Sequence, residues 1–439
     1  MMAYKMRFFI GVVLALLFAQ CNIYAETHWE PSVELGTNAT DIPDGNPKIV
    51  GDPAGNAAVT WAESGEVFAS YRTAGGLWET PVNLGKGEDP NICVDDAGNV
   101  TIAFLAPSGN GIVYAAYRPI GGTWEAAASI HTDVGKTFED VAVSCTSAST
   151  QAIVVWSNTS DSIVHSVSRV GTVWQSVVTA VNVGAGTINS NSKPQVHMLP
   201  DGNTQMALYI ASGANQGINY TKASPPPVVW DALTHISGFD AAASVKFSFA
   251  TNSNGDGIIV SQDTGDGKAA ALISGSWGTA ATMGLASPNN MSVGLDKNGL
   301  ATAVWVIPGT GEIQTKSVPL TSLDWALPVT LSTGSGNGTP ILDISDDGHM
   351  IVGWRDNAKL FNTKRGLDGT FESTTALVTA NQVDVSTIAT NIEGRGFAAW
   401  TESSGRATVS MTYEPYDPYE RLAKAGSNKR LIYQKGIRP

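Results

Sequence analysis

Between residues 46 and 84 the chain reads Pro47-Lys48-Ile49-Val50-Gly51-Asp52, Gly55-Asn56 and Ala57-Ala58-Val59-Thr60-Trp61, then Val67-Phe68-Ala69-Ser70-Tyr71-Arg72, Gly75-Gly76 and Trp78-Glu79-Thr80-Pro81-Val82-Asn83-Leu84. Apolar and polar residues alternate in four short runs rich in β-branched and aromatic side chains, which predicts four strands. Glycine and asparagine punctuate them where a tight hairpin needs positive φ.

The same pattern returns along the chain. An aromatic opens the fourth strand of each unit at Trp29, Trp78, Trp124, Trp174, Trp230, Trp277, Trp325 and Phe371, at intervals of 49, 46, 50, 56, 47, 48 and 46 residues. A first-strand pattern, Pro/x-x-Ile/Val-x-x-Asp, recurs near residues 47, 90, 140, 194, 244, 289, 340 and 384. The second strand ends at Trp61, Phe104, Trp156, Tyr209, Ser261, Trp305, Trp354 and Trp400. Four strands per unit of this length is the pattern of propeller blades. The fold expected is an all-β propeller of eight blades. The fourth and fifth units match least well and leave seven as the alternative. Residues 29–35 match a fourth strand, while the last unit supplies strands one to three as far as Tyr413. The N-terminal strand is therefore expected to complete the last blade, closing the ring and removing its free edges.

Composition agrees. Charged residues make up only 15% of the chain and glycine is abundant, with 46 copies, as suits many short buried strands. Lys5 and Arg7 precede an apolar run from Phe8 to Phe18, and Ala25 offers a small residue for cleavage. Residues 1–25 are thus expected to be a secretory signal peptide, the run being too short for a transmembrane span. Leu17-Phe18-Ala19-Gln20-Cys21 is a poor lipoprotein box because of Gln20. Residues 26–414 are read as the propeller, in a periplasmic, cell-surface or extracellular setting. Residues 415–439 carry six basic residues against Asp417 and Glu420 and are expected to be a flexible tail, with a docking arm as the other reading. The net charge of −13 becomes −15 once Lys5 and Arg7 are removed, which speaks against a nucleic-acid partner. Cys93 and Cys145 lie on the first strands of neighbouring blades and read as two buried thiols, because their repeat positions are out of register. An exported chain leaves a disulfide open.

The hairpin Tyr117-Arg118-Pro119-Ile120-Gly121-Gly122-Thr123-Trp124 resembles the Asp-box of sialidase-like propellers, Ser-x-Asp-x-Gly-x-Thr-Trp, through Gly121, Thr123 and Trp124. The aspartate of that motif is replaced by Pro119, and in other copies by Thr73, Arg169, Pro225, Leu272, Leu320 and Gly366. The resemblance implies a scaffold of exported bacterial type without sialidase catalysis, since the Phe-Arg-Ile-Pro motif is absent and the ring has few arginines to supply the triad that grips a carboxylate. Arg72 and Arg118 recur before the hairpin and read as scaffold. Arg169, counted from Trp174, falls one residue further on, at the position of Pro119.

No catalytic motif, metal-ligand spacing or cofactor loop stands out, so no catalytic residue, metal or cofactor is expected. Asp95-Asp96 and Asp346-Asp347 read as turn formers. The arrangement offered as a ligand site is the aromatic ring of Trp61, Phe104, Trp156, Tyr209, Trp305, Trp354 and Trp400, because aromatic faces stack on sugars and anchor interfaces. Packing between blades is the competing role. The function expected is a monomeric, non-catalytic binding module for a protein or surface partner. A lectin-like glycan binder and a loop-borne glycoside hydrolase are the alternatives.

Overall fold

The computed structural model describes residues 28–36, 47–107, 111–146, 151–184, 186–188, 193–225, 228–239, 246–263, 266–286, 288–334, 338–357, 359–378, 383–402 and 407–413. The expected signal peptide (1–25) and the basic tail (415–439) lie outside them. Among the described residues every regular element is a strand, and no helix is long and apolar enough to cross a membrane.

The chain divides into two units. In the smaller, His28 and Trp29 pair antiparallel with Tyr413 and Thr412. The larger, Pro31–Met411, contains the repeats. Seven of its sheets are blades of consecutive chain with strands a to d in order. The a and b strands of blades 1 to 7 are Lys48–Gly51 and Ala57–Glu63, Glu88–Val94 and Val100–Leu105, Phe138–Thr146 and Gln151–Asn158, Gln195–Met198 and Thr204–Ile210, Phe247–Thr251 and Gly257–Asp263, Asn289–Leu295 and Leu300–Val306, and Ile341–Ile344 and Met350–Asp356. In blades 3 and 5 the d strand is broken into two pieces on the same neighbour. An eighth sheet is composite. Val383–Thr390, Gly396–Glu402 and Ala407–Tyr413 are its a to c strands, and Val33 and Glu34 pair with Val409 and Thr408. The sequence favoured eight blades and left seven as the alternative; the ring has seven four-stranded blades of continuous chain, and the composite sheet closes it. The Asn391 amide donates to the Asp52 carbonyl at 2.8 Å across the closing seam.

The Asp and Gly-Asn signatures are hairpin devices. The Asp52 carboxylate accepts from the Asn56 backbone N–H at 2.8 Å, and Asp95 does the same for Asn99. The Asn56 and Asn99 side-chain carbonyls then accept from the Ala74 and Ile120 N–H groups, both at 2.9 Å, pinning the a–b hairpin to the c–d hairpin. Gly55 and Gly98 sit at φ 87° inside this turn, where a side chain would be strained.

The b strands fill the space between blades. Val59, Trp61, Ile102, Phe104, Val154, Trp156, Trp305, Val352, Trp354 and Trp400 are all buried. The seams carry cations as well. The Arg118 guanidinium lies 3.5 Å over the Tyr71 ring of the preceding blade, and Arg169 lies 3.4 Å over Tyr117. Arg169 is thus the structural equivalent of Arg118. The offset counted from Trp174 arises because its hairpin is shorter, turning at Gly171 with φ 60°.

Candidate functional site

An a strand is the inner edge of its sheet, so its outward N–H and C=O groups lack strand partners and need others. Side chains of the preceding blade supply them in a fixed geometry. Counting from the paired b strand, Gln195 and Ser248 are equivalent positions in successive blades. The Gln195 amide donates to Phe247 O at 2.9 Å and accepts from Phe249 N–H at 2.8 Å, the residues on either side of Ser248. Ser248 Oγ likewise accepts from Val293 N–H, and Ser144 Oγ from Met198 N–H. The Asp343 carboxylate accepts from Thr390 N–H at 2.6 Å, and His197 Nε2 lies 3.1 Å from Phe249 O. Each side chain meets the next blade one residue to either side of its own equivalent.

That offset corrects the reading of the cysteines. Cys93 is equivalent to Ser144, so its partner across the seam is the following residue, Cys145. The two form a disulfide with a Cα–Cα separation of 5.7 Å. Equal register along the repeat was the wrong test, because neighbouring blades are staggered.

The wall so formed encloses two cavities. One, of about 660 Å³, opens where the a strands begin and is lined by Lys48, Asp89, Asn91, Asp140, Lys193, Gln195, His197, Ser248, Ser292 and Asp343 among others. The other, of about 720 Å³, opens at the a–b turns beside Pro53, Asp96, Pro200, Ser253 and Asp347. His197 and Thr251 line both.

The first cavity gathers perturbed ionisable groups, the physical mark of a candidate site. Burial pushes the Asp140 carboxyl up to about 6, against the opposing pull of Lys193. The Lys193 ammonium lies 3.2 Å from it. Burial also raises Asp343 to about 6, opposed by its backbone N–H bonds. Lys48 is lowered, first by desolvation and then by the positive charge of Lys193. His197 is lowered by burial. The arrangement can offer hydroxyl, amide, carboxylate and ammonium groups to one polar ligand. Among the described residues, no group of three or more His, Cys, Asp or Glu side chains is placed to hold a metal ion.

The aromatic ring expected from the sequence is not at this surface. Trp61, Phe104, Trp156, Tyr209, Trp305, Trp354 and Trp400 are each at most 1% exposed. They pack between blades, so none offers a face to a sugar. Tyr209 is not part of that series. The turn at Gly202-Asn203 and the strand pairings place Leu208 at the position of Trp61. Leu208 accordingly packs with blade 3, whereas Tyr209 packs towards Phe249 of blade 5. The cavity residues were missed because they lie on first strands, where the repeat pattern is apolar and the polar positions vary from blade to blade.

No family model and no curated protein sequence matches the chain. Among solved structures it is similar to a protein of unknown function from Dyadobacter fermentans, at 11% identity over 88% of this chain and 99% of that one, with a TM-score of 0.42. It is similar to the polysaccharide lyase Uly1 at 10% identity, over 86% and 91%, TM-score 0.43. It is also similar to the six-bladed fungal lectin of Aleuria aurantia at 13% identity, over 68% and 97%, TM-score 0.40. The fold rests on the sheet topology above, and the site on its own geometry.

Proposed function

We propose that this chain is an exported binding propeller that takes a polyhydroxylated ligand, the end of a glycan, into the axial cavity at the start of the a strands. The observation that carries this reading is the cavity itself. At about 660 Å³ it has the volume of a small-ligand pocket, and its wall carries amides, hydroxyls and charged groups rather than an apolar surface. Hydroxyl-rich ligands need donors and acceptors held in place, and the side chains bridging adjacent blades are held at both ends. The Cys93–Cys145 disulfide supports export, since such bonds persist in oxidising compartments.

The test is a glycan array probed with residues 26–439 and with Ser292→Trp, which places an indole in the cavity. Binding by the parent and loss by a variant that melts normally is the expected result. Binding that survives the plug would move the ligand to the outer loops and favour a protein or surface partner.

One observation favours a second reading. Asp140 and Asp343, both raised to about 6, line the same cavity, and a carboxyl that holds its proton near neutrality can act as a general acid. Incubation of any bound glycan with the protein, followed by analysis for shortened products, separates a hydrolase from a binder.

A further inference from the structure

Lys48 departs from the pattern that three of its equivalents follow. Its equivalents in the next blades are Asn91, Ala142, Gln195, Ser248 and Ser292. Asn91, Gln195 and Ser248 each hydrogen-bond to the inner strand of the following blade. Lys48 does not. In blade 2 its equivalent Asn91 is flanked by Pro90, which has no N–H, and by Ile92, whose N–H is taken by the Asn91 side chain at 2.9 Å. An ammonium has three donors and no acceptor, so it could not have served that N–H.

Among the described residues the Lys48 ammonium has no hydrogen bond or ion pair, although it lines the cavity and is largely withdrawn from solvent. The nearby charges relieve it only in part, since the pull of Asp89 is outweighed by burial and by Lys193. Lys193 is like-charged and engaged with Asp140 at 3.2 Å. Asp89 is exposed at the rim, where solvent screens it. A partly desolvated cation with no hydrogen-bonded or ion-paired partner is costly unless something pairs with it. The polar neighbours on the wall then leave room for an oxyanion beside hydroxyl groups.

We infer that the ligand of this cavity carries an oxyanion, a carboxylate or a sulfate, and that Lys48 is the residue that holds it. The inference rests on the proposed glycan-binding cavity and specifies its ligand: an acidic sugar in preference to the neutral one. The pairing is charge-assisted and made away from bulk water, where such bonds are strongest.

Thermal shift and calorimetric titration test it with four probes: glucuronic acid against glucose, and galactose 6-sulfate against galactose. The proteins are the parent, Lys48→Met, Lys48→Arg and Ser292→Trp. The parent should prefer one acidic sugar over its neutral partner by at least about tenfold, and which one identifies the oxyanion. Lys48→Met should lose that preference, weakening the acidic sugar by at least about tenfold more than the neutral one, and Lys48→Arg should restore much of it. Ser292→Trp should lose all binding. A parent without preference, or a Lys48→Met protein that retains it, overturns the inference and leaves the cavity reading standing. Binding of none of the four sugars by a folded parent overturns the inference together with the glycan reading.

Discussion

The space between blades and the wall of the axial cavity are built from the same repeat, yet they behave differently. Between blades the position repeats in six units, where Trp61, Phe104, Trp156, Trp305, Trp354 and Trp400 are all buried, and Leu208 and Ser261, buried too, occupy it in the other two. Along the axis the equivalent positions differ, with Lys48, Asn91, Ala142, Gln195, Ser248 and Ser292 at one level of the wall. Packing density must be the same at every seam, so the interblade side chains are constrained to be alike. The wall must only satisfy the free strand edges, and several side chains do that equally well. Repetition marks packing here, and departure from repetition marks the candidate site.

That contrast can be broken experimentally. The largest effect is expected from Trp156→Ala, which should lose roughly 3–5 kcal/mol through the cavity it leaves, measured by denaturant unfolding. Full stability with loss of ligand would instead return the aromatic ring to the site. Next comes the staple across one seam. Cys93→Ser should cost about 2–4 kcal/mol, in line with a bridge of sequence separation 52 and the loop it closes. Addition of reductant to the parent should lower the melting temperature to that of the variant, and a parent unmoved by reductant would argue that the seam holds without the bond.

The third effect is a pH dependence. Burial raises Asp343 from near 3.8 to about 6 in the folded state, so the folded protein binds that proton more tightly than the unfolded chain does. Its contribution is fully present below pH 3.8 and is lost as pH rises through about 6. Asp343→Asn should remove that slope, so the difference between parent and variant stability curves should change between those limits and flatten above them. Asp140 contributes with the same sign and remains in the variant. His131 and His165, both lowered by burial, act in the opposite sense and destabilise the fold as pH falls below about 6.5. A difference curve with no pH dependence would show that Asp343 is solvated rather than buried in the wall.

The smallest stability effect is expected at Lys48. Because its partly desolvated ammonium has no partner among the described residues, Lys48→Met should not lower the unfolding free energy and should raise it by up to about 1 kcal/mol. A loss as large as that of Trp156→Ala would make Lys48 a structural residue and erase the distinction between the two regions.

Much of the fold was legible because blades are local. Hairpin turns at Gly55-Asn56 and Gly98-Asn99, alternation in the b strands and the aromatic at the start of each d strand are short-range signals, and repetition multiplies each of them. Even the closing strand could be read, from a fourth strand at Val33 and Glu34 with no first three before it. The reading failed by one residue at Tyr209, where an aromatic lies beside Leu208 and only the turn geometry separates them. It failed at the cysteines because a linear repeat says nothing about stagger. The axial site left no linear signature: Lys48, Asp140, Lys193, His197 and Asp343 lie on four different blades, far apart in the chain.

The sequence by itself determined the strands, their turns, their number per unit and the closing of the ring, because these depend on alternation and turn chemistry within a few dozen residues. The tertiary structure alone decided which side of each strand meets which neighbour. The one-residue offset between blades couples Cys93 to Cys145, sets Gln195 against Phe249 and leaves Lys48 without a partner. That offset comes from how sheets pack side by side around an axis, a relation between units that no single unit encodes.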